Sequence, residues 1–224
     1  MLLGRYRFFG DEKARLLALV EESQERQLAV TDQLGDQVRA ALDQFVRAIG
    51  HADQAAEGAI LAGMPFEAIY EMALVFMMRL VFLLYGEENT LLPHGEMLYD
   101  RSYGITHLWT RLSQEHRDDA PAMRRRFDAF PQLLATFRLI HEGCEHPDLA
   151  LLGYGGKLFD PARFPALEDR RMRVSNATVH AILHQLIFAR GRVGRTTINQ
   201  RLSYRELDVE QLGSVYEGLI DGMV

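Results

Sequence analysis

The chain has 224 residues, of which 48% are hydrophobic and 25% charged, and this composition excludes a fibrous or intrinsically disordered protein. A single cysteine excludes an internal disulfide framework, and we expect a cytoplasmic protein because the cytoplasm keeps thiols reduced. The formal net charge of −6 does not indicate a protein that binds nucleic acid over its whole surface.

Two helices are predicted at the N-terminal end, over 11–27 and over 31–49. In the second helix, apolar residues recur at about every fourth position, which places them on one face, and Gly50 is the predicted stop. The first residues of the chain are too polar for a secretory signal peptide. We assign residues 1–60 to these N-terminal helices.

A third helix is predicted to begin near Pro65, a residue type favoured in the first turn, and to end at Glu87 or Glu88. It is apolar on nearly all sides, which is typical of the central helix of a bundle. Arg79 interrupts its most apolar stretch, 72–85, and we expect this arginine to form a salt bridge at the edge of the bundle. The stretch is too short to span a bilayer, which needs about 20 apolar residues, so no membrane contact is predicted.

The helical pattern breaks at 91–95, which is predicted to be a loop. Two short helices are predicted around 107–115 and 121–130. Pro131 then starts or kinks a further helix, which Gly143 closes.

The segment 151–167 differs from the rest because it holds three glycines, two prolines and three aromatic residues. We predict an ordered loop whose aromatic side chains pack back onto the helices. Strand alternation is weak everywhere, although 196–204 could hold a short strand or hairpin. The predicted fold is therefore all-α, an irregular multi-helix bundle with one long ordered Gly/Pro/aromatic loop, and we assign 61–200 to its helical core domain.

Two capped helices are predicted towards the C-terminal end. Ser175 or Asn176 caps the first, which buries Val179, Ile182, Leu183, Leu186 and Ile187. Asp208 begins the second, and Gln211 completes a capping box three residues later.

No site for catalysis, cofactor binding or metal binding is predicted. His180 and His184 have the spacing of two zinc ligands on a helix, but the general-base glutamate and a third ligand are missing. The segment 153–157, Gly-Tyr-Gly-Gly-Lys, lacks the Ser or Thr and the preceding strand of a phosphate-binding loop. The acidic residues at 11–12 are better explained as acids at a helix N-terminus than as part of a nuclease site.

Arginines cluster between Arg170 and Arg205, a segment that holds eight of them and no acidic residue, whereas 206–224 holds five acidic residues and no basic one. Arginine clusters anchor proteins on DNA by neutralising phosphates, without reading sequence. The alternative is that these arginines pair with the acidic last helix and the acidic remainder of the chain. The predicted nucleic-acid contacts are Arg170, Arg171, Arg173, Arg190, Arg192, Arg195 and Arg201.

Three blocks of the sequence resemble one known family. Residues 201–219 read RLSYRELDVEQLGSVYEGL. This block is similar to the segment that precedes the methyltransferase domain in large adenine-specific DNA methylases, which comprise single-chain restriction-modification enzymes and related methylases of phage-defence systems. Two upstream blocks resemble other parts of that family. Residues 78–87, with 91–93 and 98–99, resemble its central helix and following loop, and 154–161 resemble its Gly-x-Leu-Phe-Asp-Pro loop. The order and approximate spacing agree, and the resemblance covers most of the chain from about Ser23 onward.

The resemblance does not extend to the catalytic motifs. These enzymes need a Gly-rich loop for S-adenosylmethionine and an Asn-Pro-Pro-(Tyr/Phe) motif that binds the amino group of the flipped adenine. The sequence has no Pro-Pro pair, and the family's Tyr-Thr-Pro element is missing after 201–219. The resemblance therefore implies a non-catalytic connector from an adenine-specific DNA methyltransferase, sometimes joined to a nuclease. S-adenosylmethionine is expected as the cofactor of the parent enzyme and not of this chain.

Two main hypotheses follow for the function of the chain. In the first, residues 201–224 are the lead-in helix to an absent methyltransferase domain or subunit, and the arginines contact the backbone of double-stranded DNA. In the alternative, the chain is a helical protein–protein interaction module with no nucleic-acid role. In either case the predicted domain-docking residues are Leu212, Val215, Tyr216 and Leu219. A stand-alone enzyme is the third possibility and would require this chain to bind S-adenosylmethionine.

Overall fold

The structure, a computed structural model, describes residues 31–221 apart from 32, 194–195 and 208. The helix predicted over 11–27 and the predicted capping residue Asp208 lie outside the described residues. Within them the fold is all-α with several helices, as predicted. The helices are α1 (33–55), α2 (Phe66–Glu88), α3 (Met97–Ser102), α4 (Ile105–Met123), α5 (Ala129–Glu142), α6 (Gly156–Phe159), α7 (Asn176–Ile187) and α8 (Val209–Asp221).

Two antiparallel hairpins accompany these helices. The first joins β1 (Gly143–His146) to β2 (Leu149–Leu152), and the second joins β3 (Phe188–Val193) to β4 (Thr196–Arg201). The second overlaps the segment considered for a short strand, whereas the first was not predicted. A side chain at Gly143 would meet the backbone of the first hairpin, because its Cβ would lie 2.5 Å from the nitrogen of Gly153. The close return of the chain beside α5 therefore requires a glycine there.

Helix α1 confirms the predicted apolar face and corrects the predicted end. Its buried side chains are Leu34, Val38, Ala41, Leu42, Phe45, Ile49 and Ala52. The helix passes through Gly50, which is exposed and does not have a positive φ, and ends at 55. The left-handed residues that stop it are Glu57 (φ 58°) and Gly58 (φ 76°), and the N–H of Gly58 donates to the carbonyl of Asp53. A glycine inside a helix ends it only where the backbone adopts this conformation.

Helix α2 is the central helix, as predicted, and follows directly after Pro65. Its side chains are buried almost continuously from Met72 to Leu84. By length and hydropathy α2 could also cross a membrane, but 67% of its most apolar 18-residue stretch is buried inside the protein. The core helix of a globular protein passes the same test of length and hydropathy.

The predicted short helices at 107–115 and 121–130 are replaced by one interrupted helix. Helix α4 runs from Ile105 to Met123 and breaks at Asp119, which has φ −156° and ψ 77°. Pro121 follows two residues later, and a proline in a helix interior removes one backbone hydrogen bond. The Oδ1 of Asp119 accepts the N–H of Ala122 and caps the last turn. Helix α5 then begins at Ala129, with Pro131 in its first turn.

The Gly/Pro/aromatic loop is ordered and packs onto the helices, as predicted. Phe159 and Phe164 are buried, and the ring of Phe159 lies 5.2 Å from that of Phe82. The hydroxyl of Tyr154 donates to the carbonyl of Leu91 at 2.8 Å. Short 3₁₀ turns at Pro161–Arg163 and Pro165–Glu168 follow the prolines.

Among the described residues, Arg79 forms hydrogen bonds to backbone carbonyls in place of the predicted salt bridge at the bundle edge. It is 1% exposed, and its Nε and Nη2 donate to the backbone carbonyls of Leu158 and Asp160 at 2.6 and 3.0 Å. Its guanidinium also lies over the ring of Phe137, 5.3 Å from the centroid. Burial lowers the pKa of the Arg79 guanidinium to about 10, so it remains charged at neutral pH. Hydrogen bonds from the buried Arg79 cation therefore hold the loop against the central helix.

The C-terminal end of α2 holds two other parts of the chain through adjacent carboxylates. Glu87 is 2% exposed and accepts the N–H groups of Ile105 and Thr106, the first two residues of α4, at 2.7 and 3.0 Å. Glu88 accepts the N–H groups of Tyr204 and Arg205, at 2.8 and 3.2 Å, in the 3₁₀ turn Tyr204–Glu206 that precedes α8. Because unpaired N–H groups at a helix start need acceptors, these carboxylates replace local caps.

A single hydrophobic core contains side chains from α1 through α8, from Leu34 to Leu219. The described parts of the segments 1–60, 61–200 and 201–224 therefore share one core.

Candidate nucleic-acid interface

Three of the predicted contact arginines come together on one face. Arg170, Arg171 and Arg173 line a cleft with a volume of about 580 Å³ between the C-terminal end of α1 and the N-terminal end of α7. We call this feature the arginine cleft. Its other lining residues are Ala48, His51, Ala52, Ala55, Ala56, Phe127, Val174, Ser175 and Thr178.

The other predicted arginines do not line this cleft within the described residues. Arg201 lies at the end of β4 and pairs with Glu88 of α2 at 3.3 Å. Arg195 and the side chains of Arg190 and Arg192 lie outside the described part of the structure, so their predicted role stays a prediction.

The start of α7 is fixed tightly, and this positions the cleft. The side chain of Ser175 accepts the N–H of Thr178, which confirms the predicted cap. Asn176 is completely buried, and its side chain accepts from the N–H of Ala129 and donates to Asp128, at the start of α5. Its own N–H donates to the carbonyl of Arg126 at 2.8 Å. The turn between α4 and α5 is thereby held against the segment that carries the cleft arginines.

Charge is unevenly compensated among the cleft arginines. Arg171 pairs with Asp169 at 2.7 Å, and this contact lowers the pKa of the Asp169 carboxyl to about 2. Arg173 instead stacks over the ring of Phe127, 4.2 Å from its centroid. Arg170 and Arg173 form no ion pair with the described residues, and both side chains are exposed. Two positive charges therefore remain uncompensated at this face.

The adjoining turn adds two arginines that the sequence analysis did not single out. Arg124 and Arg125 are exposed and form no ion pair with described residues, whereas Arg126 pairs with Glu115 at 3.3 Å. The signal was present as three consecutive arginines at 124–126. It was overlooked because the segment was assigned to the interior of a predicted helix, whereas the helix ends at Met123.

The internal-pairing alternative holds for part of the basic segment. The described partners of Arg171 and Arg201 are Asp169 and Glu88, which belong to the body of the chain and not to the acidic last helix. Of the described arginines in this segment, Arg171 and Arg201 are ion-paired, whereas Arg170 and Arg173 have no described ion-pair partner.

His180 and His184 belong to a stack of imidazole rings between α4 and α7. The ring centroid of His180 lies 4.8 Å from that of His116 and 6.0 Å from that of His184, and its Nε2 lies 3.1 Å from the hydroxyl of Ser113. The described residues hold no group of three or more side chains that could bind a metal ion. Burial lowers the pKa of His180 to about 4, and the positive charges of His116, His184 and Arg117 act in the same direction.

Acidification is therefore expected to destabilise the protein through His180. A depressed histidine pKa gives stability that is complete above the unfolded-state pKa of about 6.5 and is lost as the pH falls towards the folded-state pKa. Since His180 is half-exposed, we expect a screened loss of roughly 1 kcal/mol between about pH 7 and pH 5. Thermal unfolding followed by circular dichroism should show a drop of about 2–4 °C from this source. His180→Gln should remove that part of the pH dependence, whereas the exposed control His146→Gln should not; equal pH dependence in all three proteins would contradict the assignment.

The predicted docking residues of α8 are largely covered by the chain itself. Leu212, Val215 and Leu219 are buried in the common core, and Tyr216 is partly buried against it. Beside Leu212 and Tyr216 lies an apolar groove of about 340 Å³ that α2 also lines. The docking role stays a prediction, but the stripe is not an open apolar face.

Comparison of the chain with known proteins identifies no relative. No protein-family model, curated protein or solved structure matches it. The functional proposal therefore depends on the residues and their arrangement.

Proposed function

We propose that this chain is the non-catalytic helical connector of an adenine-specific DNA methyltransferase of restriction-modification or phage-defence type, and that it contacts the DNA backbone through the arginine cleft. The methyltransferase domain or subunit is the proposed protein partner. S-adenosylmethionine is the proposed cofactor of that partner and not of this chain.

One observation carries the connector assignment: the first of the three sequence blocks that resemble the family lies against each of the other two. Arg79, in the first block, donates to the carbonyls of Leu158 and Asp160 in the second. Glu88, which directly follows the first block's helical core, accepts from Tyr204 and Arg205 in the third. Blocks that lie at least 40 positions apart in the sequence thus form one structural unit around α2. This arrangement is better explained by a common origin of the three blocks than by three separate chance similarities.

The DNA contact rests on the uncompensated arginines of the cleft and the adjoining turn. Arg124, Arg125, Arg170 and Arg173 carry four positive charges without described ion-pair partners, although the chain as a whole is acidic. A local basic face of this kind suits the phosphate backbone, because phosphate contacts anchor a protein without requiring base recognition. The positive end of the α7 dipole points to the same face.

We expect binding to duplex DNA to weaken steeply with salt, since each neutralised phosphate contributes about 0.9 to the slope of log K against log salt. Arg170→Ala together with Arg173→Ala should reduce the slope by about 2. The matched control replaces Arg39 and Arg101, which are also exposed and lie outside the cleft, and should change the slope little. Fluorescence anisotropy with a labelled duplex at a series of salt concentrations measures both.

Two outcomes would overturn the DNA contact. One is the absence of duplex binding by the wild-type chain at low salt. The other is an equal loss of slope in the cleft variant and in the control variant, which would indicate non-specific attraction. The connector assignment has its own test. The DNA downstream of codon 224 is expected to encode Tyr-Thr-Pro and Asn-Pro-Pro-Tyr motifs, in the same reading frame for a domain or in a neighbouring one for a subunit. Their absence from both would contradict the assignment.

A further inference from the structure

The arginine cleft has two chemically different parts. Its rim carries cations, whereas its floor is apolar and made mostly of small side chains. The floor residues are Ala48, Ala52, Ala55, Ala56, Phe127 and Val174. Contact with a duplex backbone needs the cationic rim alone, because the phosphates lie on the outside of the double helix. The apolar recess behind the rim is therefore not explained by backbone contact.

The size and lining of the recess suit a small planar ligand. Its volume of about 580 Å³ lies within the range of about 300–1,000 Å³ that is usual for small-molecule sites. Three alanines of α1 and Ala56, which directly follows the helix, offer an apolar surface without projecting side chains. None of the described residues that line the cleft is acidic. An apolar ring could lie on this floor without displacing a charged group.

The rim is arranged to hold an anion beside that floor. Stacking over Phe127 at 4.2 Å covers one face of the Arg173 guanidinium and leaves its in-plane N–H donors without an ion-pair partner. Arg170 is exposed and likewise free of described ion pairs. The guanidinium of Arg171 is held in place by two hydrogen bonds to the carboxylate of Asp169. Guanidinium groups fixed in this way bind phosphate oxygens through several parallel hydrogen bonds.

We propose that the arginine cleft binds a single nucleotide unit, with its phosphate at Arg170 and Arg173 and its base on the alanine floor. The floor side chains carry no hydrogen-bonding groups, so the floor itself would accept any base. Selectivity between bases would depend on the polar lining residues His51, Ser175 and Thr178. This proposal rests on the proposed DNA contact because it uses the same arginines, and it adds an unpaired nucleotide as the ligand. The nucleotide can come from a free mononucleotide pool or from an unpaired position in a DNA strand.

Calorimetric titration of the full chain with dAMP and with inorganic phosphate tests the base-binding floor. We expect dAMP to bind about tenfold more tightly than phosphate at equal ionic strength, a difference of about 1.4 kcal/mol. Ala55 is exposed at the end of α1, so Ala55→Leu should fill the recess while preserving the helix and every charge. This variant should weaken dAMP binding about tenfold and leave phosphate and blunt-duplex binding within about twofold.

The matched control is Ala181→Leu, which makes the same change at an exposed position of α7 that does not line the cleft. Melting curves for both variants should match the wild type, which excludes misfolding as the cause. The proposal is overturned if dAMP binds no more tightly than phosphate, or if Ala55→Leu and Ala181→Leu have equal effects on dAMP.

Failure of the cleft proposal and failure of the DNA contact give different results. Duplex binding with no preference for dAMP over phosphate overturns the nucleotide site alone, whereas dAMP binding without duplex binding overturns the DNA contact alone. A duplex with a single-stranded overhang then identifies the source of the nucleotide. Tighter binding of the overhang than of a blunt duplex, lost in Ala55→Leu, assigns the nucleotide to a DNA strand; equal binding of the two duplexes assigns it to a free mononucleotide.

Discussion

Replacement of Glu87 by alanine is expected to destabilise the protein by about 4–5 kcal/mol, because it leaves two buried donors and one partly buried donor without an acceptor. These donors are the N–H groups of Ile105 and Thr106 and the hydroxyl of Tyr99, which lies 3.1 Å from the carboxylate. The N-cap residue of α4 is Gly104, which has no side chain to replace the lost acceptor. Since a domain is stable by only about 5–15 kcal/mol, this loss is a large share of its total free energy of unfolding.

Urea denaturation followed by circular dichroism measures this effect. Glu87→Gln keeps the shape and one acceptor oxygen, so it should lose about 2 kcal/mol, less than alanine does. Glu145→Ala removes an exposed carboxylate with no described hydrogen bond or ion pair and should change stability by less than about 0.5 kcal/mol. Equal stabilities for the Glu87 and Glu145 alanine variants would show that the carboxylate is not needed as a cap.

The sequence predicted the helices that bury a continuous apolar face and the ordered loop, because their signals are local. The face of α1, the central position of α2, the Ser175 cap and the buried side of α7 were all readable from spacing and capping residues. The end of α1 was predicted wrongly because a glycine stops a helix only at a positive φ, and the sequence does not show which glycine adopts it. The first hairpin was missed because β1 and β2 have four residues each, too few for a strand pattern.

Long-range polar contacts were not predictable from the sequence. Glu87 and Glu88 are ordinary residues at the end of a helix, and nothing local shows that each carboxylate accepts N–H groups from a different distant segment. The candidate site shows the same limit. Three arginines of the cleft were predicted from their clustering. The turn that carries Arg124 and Arg125 lies beside the cleft because the N–H of Asn176 donates to the carbonyl of Arg126, which no sequence pattern shows. The alanines of the floor lie more than 100 residues before Arg170, Arg171 and Arg173, and no sequence pattern connects the two groups.

Replacement of Arg79 by methionine is expected to destabilise the protein by about 2–4 kcal/mol and to release the Gly/Pro/aromatic loop. The carbonyls of Leu158 and Asp160 would lose their donors, and a buried unpaired carbonyl costs about 1–3 kcal/mol. Removal of a buried charge offsets part of this loss, which is why the expected effect is smaller than that of Glu87→Ala. The stability of Arg79→Lys should lie between those of the wild type and Arg79→Met, because an ammonium cannot reproduce the two-pronged geometry of the guanidinium.

Hydrogen exchange distinguishes loss of this particular contact from general destabilisation. Under conditions where the variant is still folded, exchange in Arg79→Met should rise first at residues 154–164, while the amides of α7 keep their protection. The control Arg101→Met replaces an exposed arginine and should alter neither stability nor loop exchange. A uniform rise across the chain would mean that Arg79 supports the core in general. A rise confined to the loop would show that this one buried cation, in the first block of the resemblance, is what holds the second block in place.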